Sequence, residues 1–392
     1  MNHATSASGA PLRAITALSA ASFAVLGACL TLPGTLLPVL VEQFGIRLVE
    51  AGSMLALQPI GYLLSVVAAG RLIKGYGVRV VLAAGVFLFA LGFAGFGLVS
   101  SWLGGAAVMF VAGLGFGVVE VAINALLVTT GGERSANLLN LTHLFFGVGS
   151  FVAPALTAVV VAWGVSWRAV FLAAGLITAL VAAGWSVQPL ARGPAPAASE
   201  HAVYSRNALV LAVLLGAYVG AEMGIGGWLT KYMVAVHAVP LTYASNVLSL
   251  YWLGLTVGRV ALSVLAHYVS EQRLLLGLTA FAALALGAAQ LAPYPSLAAA
   301  CLAATGLGFS GIFPAVIAMG GRSHPHDVAG VTSVMVSGAG IGNIVIPWAM
   351  SAIADAAGLT AGMGFYWAIC LLMVGLAVLV LRWLPRAAAA VV

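Results

Sequence analysis

The chain alternates long apolar runs with short polar breaks. Twelve runs are long enough to cross a bilayer as helices, which takes about 20 residues each. They lie roughly at residues 14–41, 50–73, 79–99, 102–130, 138–163, 167–187, 207–235, 243–266, 272–291, 295–318, 328–354 and 360–384. Apolar and polar positions do not alternate within them, so helices are predicted rather than barrel strands. The expected fold class is an all-α membrane protein with twelve transmembrane helices.

The pattern also repeats. At an offset of 193 residues, "GLGF" at 113–116 returns at 306–309, and Gly147, Gly149 and Pro154 return as Gly340, Gly342 and Pro347. Gly61 returns as Gly254 and Gly27 as Gly220 at the same offset. One register serving several spans argues for two parallel six-helix repeats, with a ligand site at their interface. The polar, Pro- and Ala-rich stretch "QPLARGPAPAASEHAVYSRN" (188–207) separates them. The expected organisation is an N-terminal bundle over 1–187, a cytoplasmic linker over 188–206 and a C-terminal bundle over 207–392.

Charge sets the orientation. Only 6% of residues are charged, against roughly a quarter in a soluble chain. With the N-terminus inside, twelve of the fifteen Lys and Arg lie on the inner side, leaving Arg47, Arg168 and Lys231 outside. Both termini are therefore expected in the cytoplasm, and localisation in the inner (plasma) membrane as a multi-pass protein. The same asymmetry accounts for the net charge of +6, so no nucleic-acid surface is required. The three cysteines, Cys29, Cys301 and Cys370, fall in separate spans and read as packing residues. No nucleophile–base set, phosphate loop or metal-ligand spacing is present, so neither an enzyme nor an ATP-driven pump is expected, and no cofactor or metal.

Two of the nine acidic residues, Glu120 and Glu222, lie inside apolar runs. A charged carboxylate at a helix centre costs about 2.5–3.5 kcal/mol, unless it is protonated, paired or faces water. Glu120 is thus a candidate proton carrier, or else a protonated packing residue; Glu222 is a second candidate. Asn124 lies one turn from Glu120 on the same face. His143 can titrate near neutrality, or serve as a structural residue. Trp228 suits either stacking on a sugar ring or anchoring at the membrane interface. Gln58, Tyr251, Trp252 and Asn343 are the other polar residues within spans. An anionic ligand would call for Arg or Lys near mid-depth. Arg259 reads as closer to the inner end of its span, so a neutral polyhydroxylated ligand is expected.

The loop "GRLIKGYGVRVVL" (70–82) resembles the cytoplasmic loop motif of the major facilitator superfamily, matching at Gly70, Leu72, Gly77 and Arg79. Lys74 stands where that motif has aspartate. "GFGVVEVAINALLV", "NLTHLFFGVGSFVAP", "YVGAEMGIGGWLTKYM" and "GLGFSGIFPAVIAMG" are similar to the fucose/glucose/galactose–proton symporter branch of that superfamily. The resemblance implies a major facilitator fold with Gly70, Lys74, Gly77 and Arg79 as a gating loop. It also implies an acid in the fourth span, here Glu120, as the coupling group. Branch members use a further aspartate in the first span, where this chain holds Thr31. The expected function is symport of a small polar solute, a sugar foremost, with protons or else sodium. Glu120, Glu222 and His143 would carry coupling. Gln58, Asn124, His143, Trp228, Tyr251 and Asn343 would hold the solute. The expected protein is a monomer in contact with membrane lipid. An exporter of amphipathic compounds and a non-transporting membrane sensor are the alternatives.

Overall fold

The computed structural model describes residues 12–190, 204–265 and 268–383, with the backbone alone at 136, 263 and 264. Among these, the first helices are α1 (Leu12–Thr35), α2 (Leu37–Phe44), α3 (Leu48–Tyr76), α4 (Val78–Phe96), α5 (Trp102–Gly131), α6 (Ser135–Ala162) and α7 (Trp167–Ser186). They are followed by α8 (Arg206–Val236), α9 (Leu241–Leu265), α10 (Glu271–Gln290), α11 (Pro295–Phe309), α12 (Ile312–Ser323), α13 (Val328–Ala357) and α14 (Leu359–Trp383). Ser101, Ser205 and Asp327 start α5, α8 and α13, each side chain accepting an N–H from the first turn.

Eleven segments are long and apolar enough to cross a membrane, with α11 and α12 taken together. Helix α9 is not in that count, which covers the described residues only. Its place in the repeat makes it the twelfth. Two predicted spans are each broken in two. The run at 14–41 divides at Leu36, because Pro38 has no N–H to give the Gly34 carbonyl. The run at 295–318 divides at Ser310–Gly311, where Pro314 likewise leaves the Ser310 carbonyl without its helical donor. Apolarity continues through both breaks, so the hydrophobic pattern alone does not show them.

Two units emerge. One comprises Met1–Pro33 and Ser53–Ala198, the other Gly34–Gly52 and Ser199–Val392. Residues 191–203 of the expected linker, and the chain ends included in the expected bundles, lie outside the described residues. In the first unit, α4 and α7 pack through Phe89, Phe93, Phe96, Phe171 and Trp167. Arg168 closes that pair. Its guanidinium donates to the carbonyls of Gly97 (3.2 Å) and Val99 (2.5 Å) just past α4, and it lies 4.4 Å from the Trp167 ring. A cation suits the carbonyl end of a helix. Arg168→Gln should lower stability by about 1 kcal/mol, the group being half-exposed, while leaving transport intact; thermal unfolding in detergent checks this.

In the second unit, the α1–α3 connection packs on α8 and α13. Gly34 leaves room for the Gly226 carbonyl, and Gly52 for Ser351. Arg47 pairs with Asp355 at 3.7 Å, and the other Asp355 oxygen accepts the Leu48 N–H at 3.1 Å.

The sequence repeat has a physical counterpart inside each unit. In the first, a methyl group at Gly113 would run into the Gln58 carbonyl oxygen; in the second, one at Gly306 would run into the Tyr251 carbonyl oxygen. Gly61 against Phe110 corresponds to Gly254 against Ala303, and Gly115 against Phe89 to Gly308 against Ala282. All these residue pairs obey the same offset of 193. One contact is reciprocal: Gly117 of α5 faces Ser65 of α3, whereas Ser310, just past α11, faces Gly258 of α9. The glycine has changed sides while the clearance is kept. This is helix packing by close backbone approach, which small residues permit.

Candidate functional site

The α3–α5 seam builds the first cluster. Gly61, Gly113 and Gly117 bring the two helices into backbone contact. Tyr62, next to Gly61, thereby faces Glu120, its hydroxyl directed at the carboxyl group. Glu120 is half-buried, and no cation among the described residues acts on it. A phenol is the partner for an acid that changes its proton, since it can donate to the carboxylate or accept from the carboxylic acid. Gln58, four residues before Tyr62, is buried, and its amide nitrogen has no hydrogen-bond partner among the described residues. The Asn124 oxygen, one turn beyond Glu120, is likewise buried and unpartnered. Gln58, Glu120 and Asn124 therefore belong to one seam, of which the sequence paired only Glu120 and Asn124. Tyr62 was missed, although it stands four residues from Gln58 on the same face. His143 belongs elsewhere in this unit, at the α1–α6 seam, edge-on to Phe23 at 4.9 Å. Thr31 is buried, its hydroxyl donating to the Ala28 carbonyl at 2.8 Å.

The second unit has its own polar cluster, around the midpoint of α8. Glu222 is only 6% exposed. Arg259 of α9 approaches its carboxylate to 3.7 Å, and the Tyr218 hydroxyl faces both groups. The reading of Arg259 as remote from mid-depth is corrected here. Its guanidinium reaches the Glu222 carboxylate at the midpoint of α8; a long stem makes that reach possible, and helical position alone does not reveal it. Tyr251 is fully buried, and its hydroxyl donates to the Glu222 backbone carbonyl at 2.8 Å. It thus holds α9 to α8 beside the acid. Tyr251→Phe should cost about 1 kcal/mol of stability, read as a lower unfolding temperature. Trp228 is fully buried with an unpartnered indole N–H, which removes the reading as an interfacial anchor. Asn343 is half-buried on α13, next to Gly342 where that helix meets the Gly216 backbone.

The predicted loop spans the α3–α4 junction. Gly70 and Lys74 lie in the last turns of α3, with Lys74 exposed where a cation suits the helix end. Gly77 has φ 84°, a backbone state that a side chain would strain. Arg79 is exposed in the first turn of α4. Among the described residues, no three His, Cys, Asp or Glu side chains are grouped so as to hold a metal ion.

Two helical repeats with matching glycine seams, one carrying the half-buried Glu120 and the other the buried Glu222, characterise the molecule. The model of the Major Facilitator Superfamily matches residues 19–294. The chain belongs to the Major Facilitator Superfamily. A glucose/galactose transporter of Brucella abortus biovar 1 (strain 9-941) is 27% identical over 323 residues, covering 76% of this chain and 77% of the relative. Among solved structures, the xylose transporter of E. coli in its inward open conformation superposes with a TM-score of 0.79 at 10% identity, covering 97% and 98% of the two chains. The fucose:proton symporter of E. coli gives a TM-score of 0.61 at 18% identity, covering 93% and 98%. At those identities the structures speak to the fold. This major facilitator protein is a transporter, multi-pass in the inner membrane, and not an enzyme.

Proposed function

We propose that this transporter moves a small polyhydroxylated solute, a sugar foremost, by alternating access with proton symport. The observation that carries the coupling reading is Glu120 on α5, facing the Tyr62 phenol with no cation among the described residues beside it. An intramembrane carboxyl group without a counter-ion is stable only when it holds a proton or is wetted, and cycling between those states couples proton flow to transport. Glu222 and His143 are secondary candidates for coupling. Printed names support the substrate class: the B. abortus relative is a glucose/galactose transporter, and the E. coli folds belong to a xylose transporter and a fucose:proton symporter.

In this reading Gln58, Asn124 and His143 supply solute contacts in the first unit, and Trp228 and Asn343 in the second. Unpartnered amide and indole groups fit hydroxyl ligands, which both donate and accept. Tyr251 acts mainly by positioning Glu222. The halves 1–187 and 207–392 form the moving bundles, joined by 188–206, with both termini cytoplasmic and the protein a monomer. The loop Gly70, Lys74, Gly77 and Arg79 gates the inner side, Lys74 having replaced an aspartate-based relay with a helix-end cation. Counterflow of radiolabelled hexoses and pentoses in proteoliposomes tests the substrate class. Saturable, sodium-independent exchange of at least one of them is expected; its absence for every sugar tried would count against this reading.

A further inference from the structure

The charged cluster in the second unit is loosely closed. Glu222 lies at the midpoint of α8, where an ionised carboxylate needs close pairing. Its cation approaches only to 3.7 Å, beyond hydrogen-bond length. The fully buried Tyr218 hydroxyl faces both groups. Trp252, 4% exposed, lays its six-membered ring against Gly226, one turn from Glu222, and its N–H has no acceptor among the described residues.

Arg and Trp nitrogens only donate, so the cluster has more donors than its one carboxylate absorbs. It calls for an acceptor-rich ligand. A guanidinium fork matches a planar carboxylate through two parallel bonds. A monoanion would balance Arg259 in full, whereas a dianionic phosphate would bring a second charge with no cation to meet it.

We propose that Arg259 binds the carboxylate of an acidic hydroxylated solute, a sugar acid, and that Glu222 is the resident counter-ion which that carboxylate displaces. The exchange is charge-neutral. Arg259 leaves the Glu222 carboxylate for the solute carboxylate, and the released Glu222 oxygen takes one proton from water, in addition to the proton carried on Glu120. The groups facing Glu222 are Tyr218 on its own helix and Arg259 and Tyr251 from α9; no other charged group among the described residues acts on it. The inference rests on the sugar reading above and narrows it, replacing the neutral ligand expected when Arg259 was placed away from mid-depth.

Binding of D-galactose against D-galacturonate, and of D-glucose against D-glucuronate, to the purified full-length protein in nanodiscs tests it. Each acid should bind about tenfold or more tightly than its parent, and more tightly still in acidic than in alkaline buffer. Arg259→Gln should remove the preference and leave the parent sugar's affinity in place. Glu222→Gln should tighten binding of the acid and abolish its pH dependence, an outcome that a merely structural pair would not give. The double variant controls for misfolding, since it leaves no unpaired charge. Parent sugars binding as tightly as their acids, or Arg259→Gln leaving the acids' affinity unchanged, would overturn the proposal while the sugar reading stands. Binding of neither parent nor acid removes both readings.

Discussion

Glu120→Gln should reduce solute accumulation driven by a pH gradient to the level of simple equilibration. A gradient of one pH unit supplies about 1.4 kcal/mol per proton, enough for about tenfold accumulation when one proton moves with each solute. Glutamine keeps the size and polarity of the side chain but cannot exchange a proton. The variant should therefore bind a neutral sugar and exchange it across the membrane, with an accumulation ratio near 1 at any gradient. Tyr62→Phe should produce a smaller defect in the same direction, because the phenol orients the acid without itself carrying the proton. Substrate binding by both variants separates a coupling fault from a folding fault. Loss of exchange along with accumulation would point instead to Glu120 as a solute contact. Sodium dependence of the wild type would move the coupling ion away from Glu120.

Gly113→Ala should destabilise the protein by about 3 kcal/mol, near the upper end of what overpacking normally costs. The added methyl would meet the Gln58 carbonyl oxygen, part of a helix backbone that cannot rotate away as a side chain can. Relief requires α3 and α5 to separate, which also draws Tyr62 from Glu120. Gly306→Ala should cost about as much, because the Tyr251 carbonyl stands in the corresponding place in the other unit. Gly375→Ala is the control. Nothing lies within 4 Å of a methyl there, and alanine favours a helix over glycine by up to about 1 kcal/mol. Its unfolding temperature should hold or rise while the other two fall. The comparison distinguishes seam glycines from glycines that merely occur in apolar helices.

Much of the architecture was legible in the apolar runs and in the offset of 193, because membrane helices must bury their own backbone bonds and close seams demand small residues. The helix breaks at Leu36 and Ser310–Gly311 were not, since proline interrupts hydrogen bonding without interrupting apolarity. In the site, Glu120 and Asn124 were legible together, being one turn apart on one helix. Tyr62 was not singled out and Arg259 was set near the inner end of its span, because each meets its acid across a seam between helices. A buried acid announces its cost in the sequence, while the partner that meets that cost is visible only once the helices are packed. The assignment of Glu120 and Glu222 to different settings, one facing a phenol alone and one facing a cation, likewise comes from packing.

The central claim is that solute and proton cross together. Cells overproducing the transporter, suspended in weakly buffered, de-energised medium, should turn that medium alkaline when a transported neutral sugar is added, as protons enter with it. Glu120→Gln cells should take up the same solute downhill with no pH change. Solute entry through the wild type without alkalinisation would contradict the account.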